Sequence, residues 1–228
     1  MRKGKKWLAA AVSAAMLIQP MAGIGSVYAA DGVDIASTFT DGSFRSYVSE
    51  KFDTDGNGYL SDDEIAAVTM VDVSKCSPAI SSMKGVEIFG NLLSLDCSGQ
   101  GIRNLDIQGL TNLIHIDVSS NKISSLTLPL KAESLIYLDV SSNYITSLTS
   151  LADYDNLTYL NANKTNLSSI SVDNMKNLEV LGVSGTTISN LDLSANTKLT
   201  ALYCQSMSAL STLDVSDHTA LKLIQCDS

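Results

Sequence analysis

Lys and Arg are scarce in this 228-residue chain: 15 stand against 24 Asp and Glu, a formal net charge of −9. Phosphate binding needs clustered basic residues, so nucleic acid is excluded as a partner class. Cysteine is also scarce, with four residues, too few to staple a disulfide scaffold of this size. Three prolines and 14 glycines leave no collagen-like or low-complexity signal. No apolar run approaches the roughly 20 residues that a spanning helix needs. Catalytic signatures are missing too. There is no His-Glu-x-x-His, no Gly-x-Ser-x-Gly, no phosphate-binding glycine loop and no Cys-x-x-Cys. Gly182-Val-Ser-Gly-Thr186 misses the nucleophile elbow by one residue, and His115 and His218 lie about five repeats apart. The expectation is therefore a protein that is not an enzyme. Its 45% hydrophobic residues still suffice for a core.

Residues 1–29 have the plan of a secretory signal peptide. Arg2, Lys3, Lys5 and Lys6 form a positive start, Trp7–Ile18 a short apolar run, and Val27-Tyr28-Ala29 a cleavage site. Removing four basic and no acidic residues leaves 11 against 24, a mature charge of −13. The expected location is secreted or on the cell surface, with no membrane span in the mature chain.

Leucines at 92, 113, 135, 157, 178, 199 and 221 recur at spacings of 21 or 22 residues. Each is followed three and five positions later by apolar or small residues, as in Leu113-x-x-Ile116-x-Val118 and Leu135-x-x-Leu138-x-Val140. Three residues further on come Asn121 and Asn143, but Gln100, Thr165, Thr186 and Met207 in other copies. This is the leucine-rich repeat pattern with a weakened asparagine position. Each copy has an apolar face that it cannot bury alone, so copies stack and their strands form a parallel sheet. A second apolar set, Leu105 with Ile107, Leu126 with Leu128, Ile170 with Val172, Leu191 with Leu193 and Leu213 with Val215, has the spacing of two that marks extended chain. The predicted fold is a leucine-rich repeat solenoid of short 21–22-residue repeats, with a parallel β-sheet, little helix and a small helical cap.

The cap carries a metal-loop motif. Residues 53–64 place Asp53, Asp55, Asn57, the Tyr59 carbonyl, Ser61 and Glu64 at the six ligating positions of an EF-hand loop, with Gly58 at the sharp turn. This oxygen set suits Ca²⁺. Phe44, Tyr47, Val48 and Phe52 mark one face of an entering helix, and Ile65 and Val68 begin an exiting one. Asp62 and Asp63 read as solvated bystanders. The chain divides into a signal at 1–29, a cap at 30–74 and repeats over 75–228. It stops as the seventh strand ends, so a C-terminal continuation, or a partner covering that edge, is expected.

The whole mature chain resembles secreted or surface leucine-rich repeat proteins of Gram-positive, often gut-dwelling, bacteria. The resemblance rests on Phe44-Arg-Ser-Tyr-Val48, the Asp53–Glu64 loop, Glu64-Ile-Ala-Ala-Val68 and Leu95-Asp-Cys-Ser98. It implies adhesion or recognition, loosely as in the internalins. Val71, Val73, Ile80, Met83, Val86 and Ile88 look like an irregular first repeat, which departs from the pattern at Cys76-Ser-Pro-Ala79, where extra residues obscure its register.

Residues between inward positions point to the concave face. They give one column of Asp96, Asp117, Asp139, Asn161 and, further on, Tyr203, beside another holding His115, Tyr137 and Tyr159. Two readings remain: a solvated Asp ladder, or a docking face for a basic extracellular protein, peptide or glycan. A second function class is also open, the targeting region of a larger extracellular enzyme whose catalytic domain lies beyond residue 228. Cys97, Cys204 and Cys226 take inward positions, where free thiols acting as small hydrophobes are the expectation, and a Cys204–Cys226 disulfide between adjacent strands is the open alternative.

Overall fold

A computed structural model describes residues 32–148, 151 and 154–227. The signal segment expected at 1–29 lies outside them.

The chain enters through a short strand β1 (Val33–Asp34) and one turn of helix α1 (Ile35–Thr38), capped by Asp34, which accepts from Ser37 N–H. Helix α2 (Gly42–Phe52) starts at Asp41, whose Oδ1 accepts from Ser43 and Phe44 N–H. The Asp41 Oδ2 accepts from Ser81 N–H and Oγ, tying the cap to the first repeat. The predicted periodicity holds: Phe44 and Val48 are buried and Tyr47 and Phe52 pack beside them. Strand β2 (Tyr59–Leu60) pairs antiparallel with β1. The lone metal loop thus finds its neighbour in the segment before α1, a two-residue pairing with no sequence signature. Helix α3 (Asp62–Ala67) opens on a capping box between Ser61 and Glu64. Asp62 and Asp63 are more than bystanders, since they place negative charge in its first turn, where the helix dipole favours it.

Strand β3 (Met70–Asp72) already belongs to the solenoid, although the sequence division assigned it to the cap. Next come β4 (Ser94–Asp96), β5 (Asn104–Asp106), β6 (His115–Asp117), β7 (Ser125–Thr127), β8 (Tyr137–Asp139), β9 (Tyr159–Asn161), β10 (Val180–Gly182), β11 (Ala201–Tyr203) and β12 (Leu223–Gln225). Eight of these strands form one parallel sheet, in the order β3-β4-β6-β8-β9-β10-β11-β12. The register is in phase throughout, so Val71, Leu95, Ile116, Leu138, Leu160, Leu181 and Leu202 make one fully buried row. On the other side β5 pairs parallel with β7, and the later copies of that apolar set stay extended without a ladder. Among the described residues of the repeats helix is confined to the 3₁₀ turn Val86–Ile88 and to Leu151.

Turn geometry explains the asparagine position. The residue before it is left-handed in six copies: Gly99, Ser120, Ser142, Lys164, Gly185 and Ser206 have φ between 54° and 71°. Asn121 then donates to the carbonyls of Cys97, Val118 and Ser119 and accepts from Ile102 N–H. Asn143 repeats this pattern one turn on. Thr165 and Thr186 keep one bond each, to Ala162 and Val183 carbonyls. A second asparagine column precedes the repeat leucines: Asn91, Asn112, Asn156 and Asn177 donate to the Ala66, Gly90, Glu133 and Asp155 carbonyls of the turn before.

Cys204 and Cys226 correct one expectation. Their Cα atoms lie 4.4 Å apart, each just past the end of one of two paired strands, β11 and β12, and the two are joined as a disulfide. Strand pairing brings equivalent inward positions within bridging distance. Cys97 stays a buried free thiol, and burial pushes its pKa well up.

Candidate functional site

The solvent face of the long sheet collects the predicted ligand residues. His115, Tyr137 and Tyr159 stand directly opposite one another on β6, β8 and β9. Their rings stack with centroids 4.2 and 4.3 Å apart and planes within 9° and 6°. Asp96, Asp117, Asp139 and Asn161 form the adjacent column. Tyr203 sits on β11, separated from this cluster by Gly182 of β10. The column also gains Asp72, which sequence reasoning missed. The signal was present in Val68-x-x-Val71-x-Val73, a valine version of the repeat, followed by the same Asp-x-Ser step at Asp72-Val-Ser74.

That Asp-x-Ser step gives the carboxylates a structural task. Asp72, Asp96, Asp117 and Asp139 each accept through Oδ1 from the N–H two residues on, at 2.9–3.0 Å. These bonds turn the chain off the strand. The same device closes turns away from the sheet at Asp192 and Asp214. Asp139 is more enclosed than the sequence suggested, only 7% exposed, and its Oδ2 accepts from Asn161 Nδ2. Gly182 is small for a reason: a Cβ there would lie 2.8 Å from the side chains of Asn161 and Asn163.

Burial raises Asp117 to about 6, and the charges of Asp139 and Asp96 add to the rise against the bonds from Ser119. The unfolded group titrates near 3.9. The stability it contributes is thus fully present below about pH 3.9 and lost as pH rises through about 6. Asp117→Asn keeps the turn acceptor and drops the charge. It is expected to stabilise the chain by on the order of 2 kcal/mol at neutral pH and by nothing at pH 3.5. Thermal melts of both proteins across that range check the result. Burial also lifts the Tyr137 hydroxyl, helped by the Tyr159 phenol and the Asp139 and Asp117 carboxylates, and lifts that of Tyr159, helped by the same carboxylates against its bonds with Tyr137 and Asn161.

The second site is the cap loop. Carboxylate oxygens of Asp53, Asp55 and Glu64 converge within 4.8 Å of one another. Asp53 also accepts from Asn57 and Gly58 N–H, and Asn57 Oδ1 accepts from Tyr59 N–H, which curls the loop inward. Glu64 clamps its two ends, with Oε1 accepting from Thr54 and Oε2 from Ser61. Burial raises the Glu64 pKa, but these four bonds outweigh it and hold the carboxyl below its usual range. Hard carboxylate oxygens around one point fit a divalent cation of the calcium type.

No protein-family model matches the chain, and no curated protein does. Solved structures do. The functional domain of InlJ from Listeria monocytogenes, which includes a cysteine ladder, superposes with a TM-score of 0.68 at 25% identity over 89% of this chain. The fold is a leucine-rich repeat solenoid. Internalin C2 from Listeria monocytogenes agrees at a TM-score of 0.60 and 18% identity, over 88% of this chain and all of its own. The Leptospira interrogans leucine-rich repeat protein LIC12759 agrees at 0.54 and 18%, over 72% of this chain and 50% of its own. The present chain spans about half, 49%, of the InlJ chain. Among the described residues no helix is long and apolar enough to cross a membrane.

Proposed function

We propose that this is a secreted or surface-displayed binding module that recognises a protein partner on the solvent face of its long sheet. The observation that carries the reading is the His115–Tyr137–Tyr159 stack, three half-buried rings in register on an open sheet beside ionisable carboxylates. Stacked rings supply rigid contact area at little entropic cost, the usual make-up of an interaction hot spot. The likeness to the InlJ domain supports the same reading. Panning the biotinylated chain against arrayed extracellular proteins tests it. Captured partners should be lost on Tyr137→Ser and kept on Tyr144→Ser, which alters an exposed tyrosine off the β8–β9 strands. Equal retention by both variants would retire the assignment of the face.

The signal-like plan of residues 1–29 supports the same reading: they are expected to be removed after Ala29, which mass spectrometry of the protein from culture medium would show.

The cap loop would hold Ca²⁺ through Asp53, Asp55, Asn57, the Tyr59 carbonyl, Ser61 and Glu64, and the ion's task would be structural. The loop is stitched into β1 and α3, so binding to the folded state alone adds stability. With a dissociation constant of ~10⁻⁴ M and ~1 mM calcium outside cells, the gain is about 1.4 kcal/mol. A chain of this size should then melt roughly 3–5 °C higher in calcium than in chelator. Asp53→Asn with Glu64→Gln should erase the difference. Identical melting of the wild type in both buffers would remove calcium from the account.

A further inference from the structure

The sheet face is graded across its width. Where the chain enters the strands, Leu93 and Ile114 are half-buried and Ile136 is 46% exposed, an apolar margin on three consecutive repeats. The ring stack of His115, Tyr137 and Tyr159 runs beside it. Beyond the rings lies the row of Asp72, Asp96, Asp117 and Asp139, about 4.8 Å from strand to strand. Like charges at that spacing repel. From β3 to β11 these rows contain no Lys or Arg. The ion pair found among the described residues, Lys51 with Glu50, belongs to the cap. The turn bonds at Asp72, Asp96 and Asp117 account for Oδ1.

Such a face asks for a partner with the opposite grading. Negative partners, including acidic glycans, meet repulsion along the whole Asp row, and a uniformly polar partner leaves Ile114 and Ile136 wet. A basic group placed between carboxylates on neighbouring strands relieves their repulsion and gains a charge-assisted hydrogen bond. We propose that the face takes an amphipathic basic segment of a partner protein, its Lys or Arg side chains set along Asp72, Asp96 and Asp117, its apolar side chains along Leu93, Ile114 and Ile136, and the Tyr137 and Tyr159 rings between the two. This rests on the docking role proposed for the sheet and assigns the chemistry of what docks.

The probe is a short, labelled amphipathic peptide made of Leu and Lys alone, titrated into the full mature chain and read by fluorescence anisotropy at low and high salt. Glu-for-Lys and Ser-for-Leu versions accompany it. The Leu/Lys peptide should bind, weaken with salt, and weaken about tenfold or more on Asp96→Asn with Asp117→Asn, and again on Ile114→Ser with Ile136→Ser. Asparagine retains the oxygen that takes the Ser98 and Ser119 N–H, so the first pair keeps its turns, and melting curves check both pairs. Asp192→Asn with Asp214→Asn removes equal charge at exposed turns off the sheet and should leave binding unchanged. Equal weakening by the two Asn pairs would reduce the effect to net charge and overturn the proposal. So would equal binding of the Ser-for-Leu and Leu/Lys peptides, or failure of the Leu/Lys peptide to bind. A Glu-bearing peptide that binds, and is lost on Tyr137→Ser, would overturn the basic assignment while leaving the docking face standing.

Discussion

Gly85→Ala is expected to cost about 3 kcal/mol, although it adds a single methyl. Gly85 has φ of 102°, in the left-handed half of backbone space, where a Cβ is strained by roughly 1–2 kcal/mol. The new carbon would also lie 2.5 Å from Cδ1 and 2.7 Å from Cε1 of Phe39. That ring cannot yield. It is fully buried, edge-on to Phe44 at 5.3 Å and stacked on Phe89 at 5.9 Å, and Phe89 in turn meets Phe52 at 5.3 Å. Overpacking such a site costs a further ~1–3 kcal/mol. The same four rings join the cap to the first repeat, so the damage should fall on the junction. Phe39→Ala alone is expected to cost ~3–5 kcal/mol by cavity formation. The two changes together should cost less than their sum, because the vacated ring space receives the methyl. Urea titration of the four proteins measures this. A Gly85→Ala penalty below about 1 kcal/mol would mean that the junction is looser than these contacts describe.

The junction also marks where sequence reasoning stopped. The repeats were legible because one residue type recurs at one period and the buried row follows from it. Leu92 through Leu221 could be placed without coordinates. The first copy was legible only as an irregular repeat of uncertain register, because valine replaces leucine at 68 and the Cys76–Ala79 insertion stretches the step to Leu92 to 24 residues. Asp72 was lost with it. The column of Asn91, Asn112, Asn156 and Asn177 was visible at the same period as the leucines, but its task lies in carbonyls one turn away, which no local pattern reveals. The cysteine bridge was undecidable for a related reason: an inward thiol and an inward half-cystine occupy the same position, and their distance across strands chooses between them. The Asp column was seen, while its turn bonds were not. Those bonds explain why Asp also recurs at 192 and 214, away from the rings, and they separate the residue type, which the turns require, from the pairing with His115, Tyr137 and Tyr159, which they do not.

Asn143→Ala should remove about 3 kcal/mol, a large effect for a side chain with no charge. Asn143 is 3% exposed and its amide serves four backbone groups: it donates to the Val118, Val140 and Ser141 carbonyls and accepts from Ile123 N–H. Truncation strands these groups where water has poor access, at ~1–3 kcal/mol for each one left unpaired. Relaxation of the turn and partial hydration keep the sum well under the arithmetic maximum. The chain contains its own control. At the equivalent place Thr165 makes only the bond to the carbonyl three residues back. Asn143→Thr should therefore retain the Val140 contact alone and lose about half as much as Asn143→Ala. The converse change, Thr165→Asn, should stabilise by ~0.5–2 kcal/mol, because the preceding Lys164 already has the left-handed φ of 55° that the turn needs. Chemical denaturation of the three variants gives the order Thr165→Asn, wild type, Asn143→Thr, Asn143→Ala. An Asn143→Thr as damaging as Asn143→Ala would show that the bonds reaching across to the neighbouring turns, rather than the local one, hold the ladder together. In a solenoid those are the contacts that couple one repeat to the next.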